Sequence, residues 1–381
     1  MDLRFSAEDE DFRARVRAWL PGALATLPPT PGVEDWPGRR SYDTQWQRTL
    51  FDAGFAGLDW PVDAGGQGAS PTRHLIFLEE AERAGAPYVG TNFVGLLHAG
   101  PTIAAEGTPE QQQRYLPPIL RGDEVWCQGF SEPGAGSDLA SLQTRALRDG
   151  DHYVVSGQKI WTSHAQVADL CELLVRTDPD APKHKGITWL IMPMDLPGID
   201  VRPMRTIAGS SEFSEMFLDG VRIPAQNRIG DENDGWRVAM VTFSFERGTA
   251  FVGELLASMQ LVGRLAERAR KLGAWDDAGV RRDLGHLAAD LDALWALTKR
   301  TVTQTEATSV PGPLGSVFKL HYSEVRHRLG DLAVKLLAPQ GLTLDNEHAR
   351  GWLHAMSISI AAGTSQIQRN ILAERVLGLP K

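Results

Sequence analysis

The chain has 381 residues, 42% of them hydrophobic and 23% charged, and a formal net charge of −9. That length holds two or three domains with a sizeable core, and the composition is that of a folded soluble protein rather than a disordered one. An acidic chain without a long basic run is not expected to bind nucleic acid or an anionic membrane, and no stretch approaches the roughly 18 apolar residues a bilayer span needs.

From residue 5 to about 122 the pattern is helical: Phe12, Val16, Trp19 and Leu20 recur at helical spacing, as do Leu75, Ile76, Leu78 and Ala81 before the stop at Gly85-Ala-Pro87. The stretch 60–68 reads as a loop, and Arg13, Arg15 and Arg17 read as the solvent face of the first helix. Between 124 and about 230 short β-prone runs dominate, among them 171–176, 187–192 and 215–218, which predicts a small antiparallel β domain. Asp149-Gly150 separates two of these runs, 144–148 and 152–156, and predicts a tight hairpin turn. Lys183-His-Lys185 is the local basic cluster of this region; it reads as a solvated hairpin tip, with a phosphate contact as the other role. From 236 to 377 long helical periods return, broken at 273–277, 310–315 and 338–341, which gives a four-helix bundle. The segments divide as 1–122, 123–230 and 231–381, an α+β chain of helical, β and helical domains without an internal repeat.

Other residues narrow the chemistry. The N-terminus starts polar and amphipathic with no apolar secretory core, so a cytoplasmic location is expected. Cys127 and Cys171 lie far apart in sequence, and His321 and His327 have the wrong spacing to share an ion, so no metal is expected. The segment Gln128-Gly-Phe-Ser-Glu-Pro-Gly-Ala-Gly-Ser-Asp138 precedes the hairpin as a small-residue loop. It offers backbone N–H groups and the hydroxyls of Ser131 and Ser137 to something flat and polar, with Trp161 as an aromatic wall and Ser163 as a further hydroxyl. A plain turn is the other reading. It is no dinucleotide fingerprint, because Leu139 stands where the third glycine belongs and a hairpin follows instead of a helix. Ser365-Gln-Ile-Gln368 has capping-box spacing and predicts a helix start, either a plain cap or one whose positive end meets an electron-rich group.

These segments, with Gly57-Leu-Asp-Trp-Pro61, Gly65-Gly-Gln-Gly68, Gly107-Thr-Pro-Glu-Gln111, Phe217-Leu-Asp-Gly-Val-Arg-Ile-Pro224 and Gly363-Thr-Ser-Gln-Ile-Gln-Arg-Asn370, resemble the acyl-CoA dehydrogenases along the whole chain. The resemblance implies two helical domains clasping a β domain, with FAD at their junction. It places the flavin against Phe130, Ser131, Gly136, Ser137, Trp161, Ser163, Thr364 and Gln366. An acyl-CoA substrate is implied, with Ser137 and Arg247 as contacts, and an electron-transfer flavoprotein as the electron acceptor.

Desaturating a thioester requires a carboxylate to remove the α proton while a hydride leaves the β carbon. Many relatives carry this glutamate immediately before Gly-Thr-Ser, where this chain has Ala362. A minority, isovaleryl-CoA and long-chain types among them, carries it as a Glu-Arg pair on the first long helix of the C-terminal domain, and Phe243-Ser-Phe-Glu-Arg247 stands at the matching place. Glu246 is therefore the expected base, against the alternative of an exposed ion pair with Arg247. Ala250, Gly253 and Ala257 share nearly one helix face, which fits either a wide pocket for branched, long or polycyclic acyl groups or close helix packing. Two segments that hold the adenine half of FAD in many relatives depart from the family pattern, at 268–273 and 336–341. A homodimer or homotetramer is the simpler assembly, and a mixed heterotetramer, as in some bacterial relatives, is the other. A flavin monooxygenase on the same fold, a non-catalytic partner subunit, and a carrier-protein thioester in place of CoA are the competing functions.

Overall fold

The computed structural model describes residues 5–245, 251–308, 314–337 and 339–380. Five helices come first: α1 (Ala7–Leu24), α2 (Trp36–Asp52), α3 (Pro71–Arg83), α4 (Gly100–Glu106) and α5 (Pro109–Arg121). Their starts follow from side-chain caps. Ser6 and Asp9 form a capping box for α1, Asp35 and Ser70 cap α2 and α3, and Thr108 with Gln111 caps α5. Phe12, Val16, Leu20, Trp46, Leu50, Leu75, Ile76 and Leu78 form one core, as the helical spacing predicts. Arg13 departs from expectation. It is buried rather than solvent-facing, with Nη1 2.7 Å from both Glu79 and Glu80 of α3. Arg17 stays outside and reaches back to Glu80 at 2.8 Å.

The middle segment forms β1 (Trp126–Gly129), β2 (Arg145–Asp149), β3 (His152–Ser163), β4 (Leu170–Arg176), β5 (Ile187–Pro193), β6 (Ile199–Met204), β7 (Phe213–Pro224) and β8 (Arg228–Ile229). Among the described residues they make one sheet in the order β6-β7-β3-β2-β4-β5-β8, with β1 alongside β4. The sheet is mostly antiparallel as expected, but β1 and β4 run parallel, joined through the hairpin that lies between them in sequence. That pairing sets Cys127 beside Cys171, two free, buried thiols that sequence distance had kept apart. Asp149 pairs with His152, so the hairpin turn is Gly150-Asp151, one residue later than predicted. Gly150 has φ 60° while Asp151 does not enter the left-handed region, the pattern of a type II′ turn, which puts glycine first.

The remaining chain is helical: α6 (Gly235–Phe245), α7 (Val252–Lys271), α8 (Ala278–Thr308), α9 (Leu314–Lys335), α10 (Glu347–Ile358) and α11 (Ser365–Ile371). Leu255, Val262 and Leu265 of α7 pack with Leu284, Leu287, Leu291 and Leu294 of α8 and Val325, Leu329 and Leu332 of α9, the expected bundle core. Helix α6 instead leans on the N-terminal segment. Arg237 grips Glu106 at 2.6 and 2.8 Å, and the hydroxyls of Thr242 and Thr102 meet at 2.9 Å. The α-helical, β and α-helical order read from the sequence is the order of the fold.

Candidate active site

The loop after β1 is stiffened from beneath. Glu132 accepts from the backbone N–H groups of Gln143 and Thr144, both at 2.7 Å, and from Lys159 Nζ at 2.9 Å. Lys159 also donates to the Phe130 carbonyl at 3.0 Å. Burial lowers the Lys159 pKa, and the same burial would raise that of Glu132, but the ammonium and the N–H donors hold the carboxyl below its ordinary range. Over this base the tip carries Gly136 and Ser137 in the open, with empty space where a Cβ on Gly136 would stand. The Phe130 side chain points the other way, into the core, edge-on to Phe243 of α6 at 5.9 Å.

Strand β3 delivers the aromatic wall by a break in its own ladder. Its register against β7 shifts between Lys159 and Thr162, and Trp161 within that shift has φ 60°. Such a bulge re-aims a side chain, and the indole is 56% exposed, with Phe213 edge-on to it at 5.8 Å. Ile160 N–H donates to the Ser131 carbonyl at 3.0 Å, so the loop and the bulge are one unit holding Ser131, Trp161 and Ser163 together. His164 follows, also left-handed, its ring facing Trp36 at 5.3 Å and Phe93 at 6.5 Å. Burial pushes its pKa down to about 4, so the imidazole is neutral at pH 7.

At the other end of the chain the cap differs from expectation. Thr364, not Ser365, is the N-cap of α11, its hydroxyl accepting from Ile367 N–H at 3.2 Å. The backbone before it decides this. Ala362 and Gly363 have φ 49° and 84°, and Gln368 donates to the Ala362 carbonyl at 3.0 Å instead of closing a capping box. Gln366 is exposed on the first turn, and no hydrogen bond among the described residues joins Thr364 or Gln366 to the loop around Ser131. Lys319 of α9 fastens this segment through the carbonyls of Ile358 (2.6 Å) and Gly363 (2.9 Å).

Burial pushes Lys319 down to about 8 from 10.5. Between those values the unfolded chain keeps a proton that the folded chain has released, so the penalty for burying this charge is full below pH 8 and is relieved as pH rises to 10.5. The difference in unfolding free energy between wild type and Lys319→Met should therefore move in favour of wild type from pH 7.5 to 10 (about the window of that shift). Denaturant titrations at each pH test this, and a flat or falling difference contradicts it.

Glu246, Arg247 and Ala250 lie outside the described residues. Gly253 is packed, since a Cβ there would come within 3.3 Å of the Tyr88 ring, and it also lines a cavity of about 90 Å³ with Tyr88, Leu96 and Leu97. Lys183 pairs with Asp138 at 2.8 Å, and Arg176 collects the carbonyls of Lys183 and Lys185, so the basic cluster is a braced turn beside the loop tip. Glu132 lies within the small-residue loop, and Lys159, its partner from β3, is a functional residue that sequence reasoning missed. Its signal was a lysine on the inward parity of β3, in line with Tyr153 and Val155. Among the described residues no cluster of His, Cys, Asp and Glu could hold a metal ion, and no helix is long and apolar enough to cross a membrane.

Sequence models of the acyl-CoA dehydrogenase N-terminal, middle and C-terminal domains match residues 6–123, 127–221 and 233–377. The chain belongs to the acyl-CoA dehydrogenase family, and it is an oxidoreductase acting on acyl-CoA. It is 40% identical to acyl-CoA dehydrogenase IpdE1 of Mycobacterium tuberculosis over 98% of each chain, and 33% identical to FadE26 of the same organism over 100% of this chain and 99% of that one. Among solved structures it resembles the Tcur3481-Tcur3483 steroid ACAD (TM-score 0.86, 32% identity, 100% of both chains) and the ChsE4-ChsE5 complex of Mycobacterium tuberculosis (TM-score 0.83, 32% identity, 100% of both chains). Members of this family are FAD-dependent flavoproteins. The site fits that cofactor: an outward indole, a loop tip with open space at Gly136, and exposed hydroxyl and backbone groups suit a flat ring with polar edges.

Proposed function

We propose that the chain oxidises the α,β bond of an acyl-CoA thioester to the trans-2-enoyl-CoA, with Glu246 as the base and an electron-transfer flavoprotein as the acceptor. The observation that carries this is the rigid Ser131–Trp161–Ser163 unit, combined with an alanine at 362, where many relatives keep their carboxylate. Bound FAD supplies the hydride acceptor. The Trp161 indole and the Ser131, Ser137 and Ser163 hydroxyls would hold the isoalloxazine together with Phe130 and Gly136, Thr364 and Gln366 would lie near it, and Arg247 and Ser137 would contact the CoA ester. Glu246 takes the α proton from the face opposite the flavin.

The segments 1–122, 123–230 and 231–381 act as three domains, and the protein works as an oligomer. Structural relatives named as a steroid ACAD and as a two-component complex favour a bulky fused-ring acyl group and a heteromer. Arg268 donates to the Leu336 carbonyl at 3.2 Å, so the two atypical adenine-side segments are joined within the chain itself.

Flavin absorbance of the purified protein, alone and with its partner, should bleach when acyl-CoA esters of suitable bulk are added. Oxygen uptake coupled to substrate hydroxylation would point to the monooxygenase chemistry instead. Trp161→Ala should weaken FAD retention at least tenfold while leaving the apoprotein melting temperature within a few degrees (about the scale for an exposed substitution). An unchanged FAD affinity would remove Trp161 from the flavin wall.

A further inference from the structure

Among the described residues a cavity of about 90 Å³ lies between the N-terminal helices and the start of α7, and none of the roles above uses it. Leu58, Phe77, Leu78, Val89 and Leu97 give it an apolar wall, and Gly253 leaves room for the Tyr88 ring beside it. Two polar members of the lining spend their donors on backbone carbonyls, Gln47 on Leu120 at 2.7 Å and Trp60 on Leu96 at 3.3 Å. The charged members are Asp59, His74 of α3 and Glu82. Asp59 and His74 are paired, with Nδ1 3.2 Å from Oδ2.

The pair favours its ionised form. Burial by itself would raise the pKa of the Asp59 carboxyl and lower that of the His74 imidazole, but each partner's charge outweighs it, so the carboxyl lies below and the imidazole above its ordinary value. Burial raises Glu82 instead, towards its neutral form. The His74 side chain keeps 14% of its surface accessible against 44% for Asp59, so the carboxylate is the member a ligand can reach. An ionised carboxylate only accepts, and its complement is a hydrogen-bond donor.

The cavity wall continues towards the loop and bulge described above. Val89, Phe93 and Leu97 follow at steps of four along a segment that ends in a π turn (Gly95–Ala99). Every residue from 91 to 100 is buried except Phe93 and Leu97, which stay half-buried and extend the apolar strip. Val89 and Leu97 line the cavity, and the Phe93 ring meets that of His164, the residue after Ser163, at 6.5 Å. His98 on the same turn is taken up elsewhere, 2.9 Å from Gln128 of β1, which reaches Glu172 of β4 at 2.7 Å. An apolar cavity of roughly 150 Å³ holds a benzene ring, so this smaller one admits the edge of a ring and a substituent.

We propose that the cavity receives the end of the acyl group remote from the thioester, and that Asp59, oriented by His74, selects acyl groups carrying a hydroxyl there. The inference rests on the reading of the chain as an acyl-CoA oxidising enzyme and makes its substrate class a hydroxylated fused-ring acyl-CoA. Val89, Phe93 and Leu97 guide the apolar body. A ketone at the same carbon has no donor and meets a carboxylate with which it cannot pair.

The test uses three fused-ring acyl-CoA esters that differ only at the ring carbon most remote from the thioester, which bears a hydroxyl, a ketone or hydrogen alone. Calorimetry with the FAD-loaded protein gives the Kd of each enoyl product, and flavin bleaching by each saturated ester gives turnover. The hydroxy compound should bind about 10-fold or more tighter than the other two, the size of one hydrogen bond to a charged group. Asp59→Asn, whose amide also donates, should bring the hydroxy and keto compounds to within a few fold of each other, and Glu82→Gln should move that ratio less. Ratios taken within one protein cancel any general loss of stability or flavin. Leu97→Trp should weaken the fused-ring compounds more than the enoyl product of a four-carbon ester. Equal Kd values for the three compounds in wild type overturn the inference even if Asp59→Asn fails to fold, as does a ratio that survives Asp59→Asn or an even effect of Leu97→Trp on large and small acyl groups. Compounds that bind with the expected ratio but never bleach the flavin contradict the oxidation and not the pocket, whereas bleaching without any ratio contradicts the pocket alone.

Discussion

Glu246→Gln is expected to retain the fold, the bound FAD and acyl-CoA binding while losing turnover by about two to four orders of magnitude. The carboxamide is nearly isosteric but cannot accept the α proton, so the loss falls on the transition state and not on the ground state. Stopped-flow bleaching of the flavin by excess substrate measures that step directly. Position 362 offers a rescue. Ala362 is exposed and already in the left-handed region at φ 49°, with its carbonyl held by Gln368, so Ala362→Glu adds a carboxylate without a new backbone conformation. The double variant should recover part of the activity. Bleaching in Glu246→Gln within a few fold of wild type would move the search to another carboxylate or to oxygen chemistry.

Lys159→Met is expected to cost about 3–5 kcal/mol of stability, the range for breaking a buried ion pair from one side. The Glu132 carboxylate would keep two backbone donors but lose its counter-charge, and the Phe130 carbonyl would lose its donor. The loop after β1, proposed above to hold the flavin, hangs from these groups, so FAD retention should fall with stability. Urea titration and the absorbance of the purified protein report the two effects together. Lys183→Ala is the contrast, because its pair with Asp138 is exposed and should change stability by no more than about 0.5 kcal/mol. A Lys159→Met protein with wild-type midpoint and flavin content would show that the loop is held by other means.

Local pattern carried much of this molecule. Apolar residues at helical spacing marked α1 and α3, β-prone runs marked β4 and β5, and Asp149-Gly150 marked the hairpin to within one residue. The loop after β1 and the Trp161-Thr-Ser163 segment that the structure joins to it were legible as segments because each lies in a short contiguous motif. The cap of α11 was not settled, since Thr364 and Ser365 both offer a hydroxyl and only the positive φ of the two preceding residues selects the first.

The sequence by itself thus determined the order of helical and β segments and the family, since both reside in neighbouring residues. The tertiary structure decided which distant residues meet. Arg13 reads as a surface charge until α3 brings Glu79 and Glu80 against it, and Cys127 and Cys171 are unrelated until β1 lies parallel to β4. The outward turn of Trp161 depends on a register shift against β7, which alternation along β3 cannot express. His98, Gln128 and Glu172 come from a π turn and two strands, and nothing local marks them as partners. Their burial is tolerable only because each brings hydrogen-bonding capacity to the others, a condition that exists only once the three segments have come together.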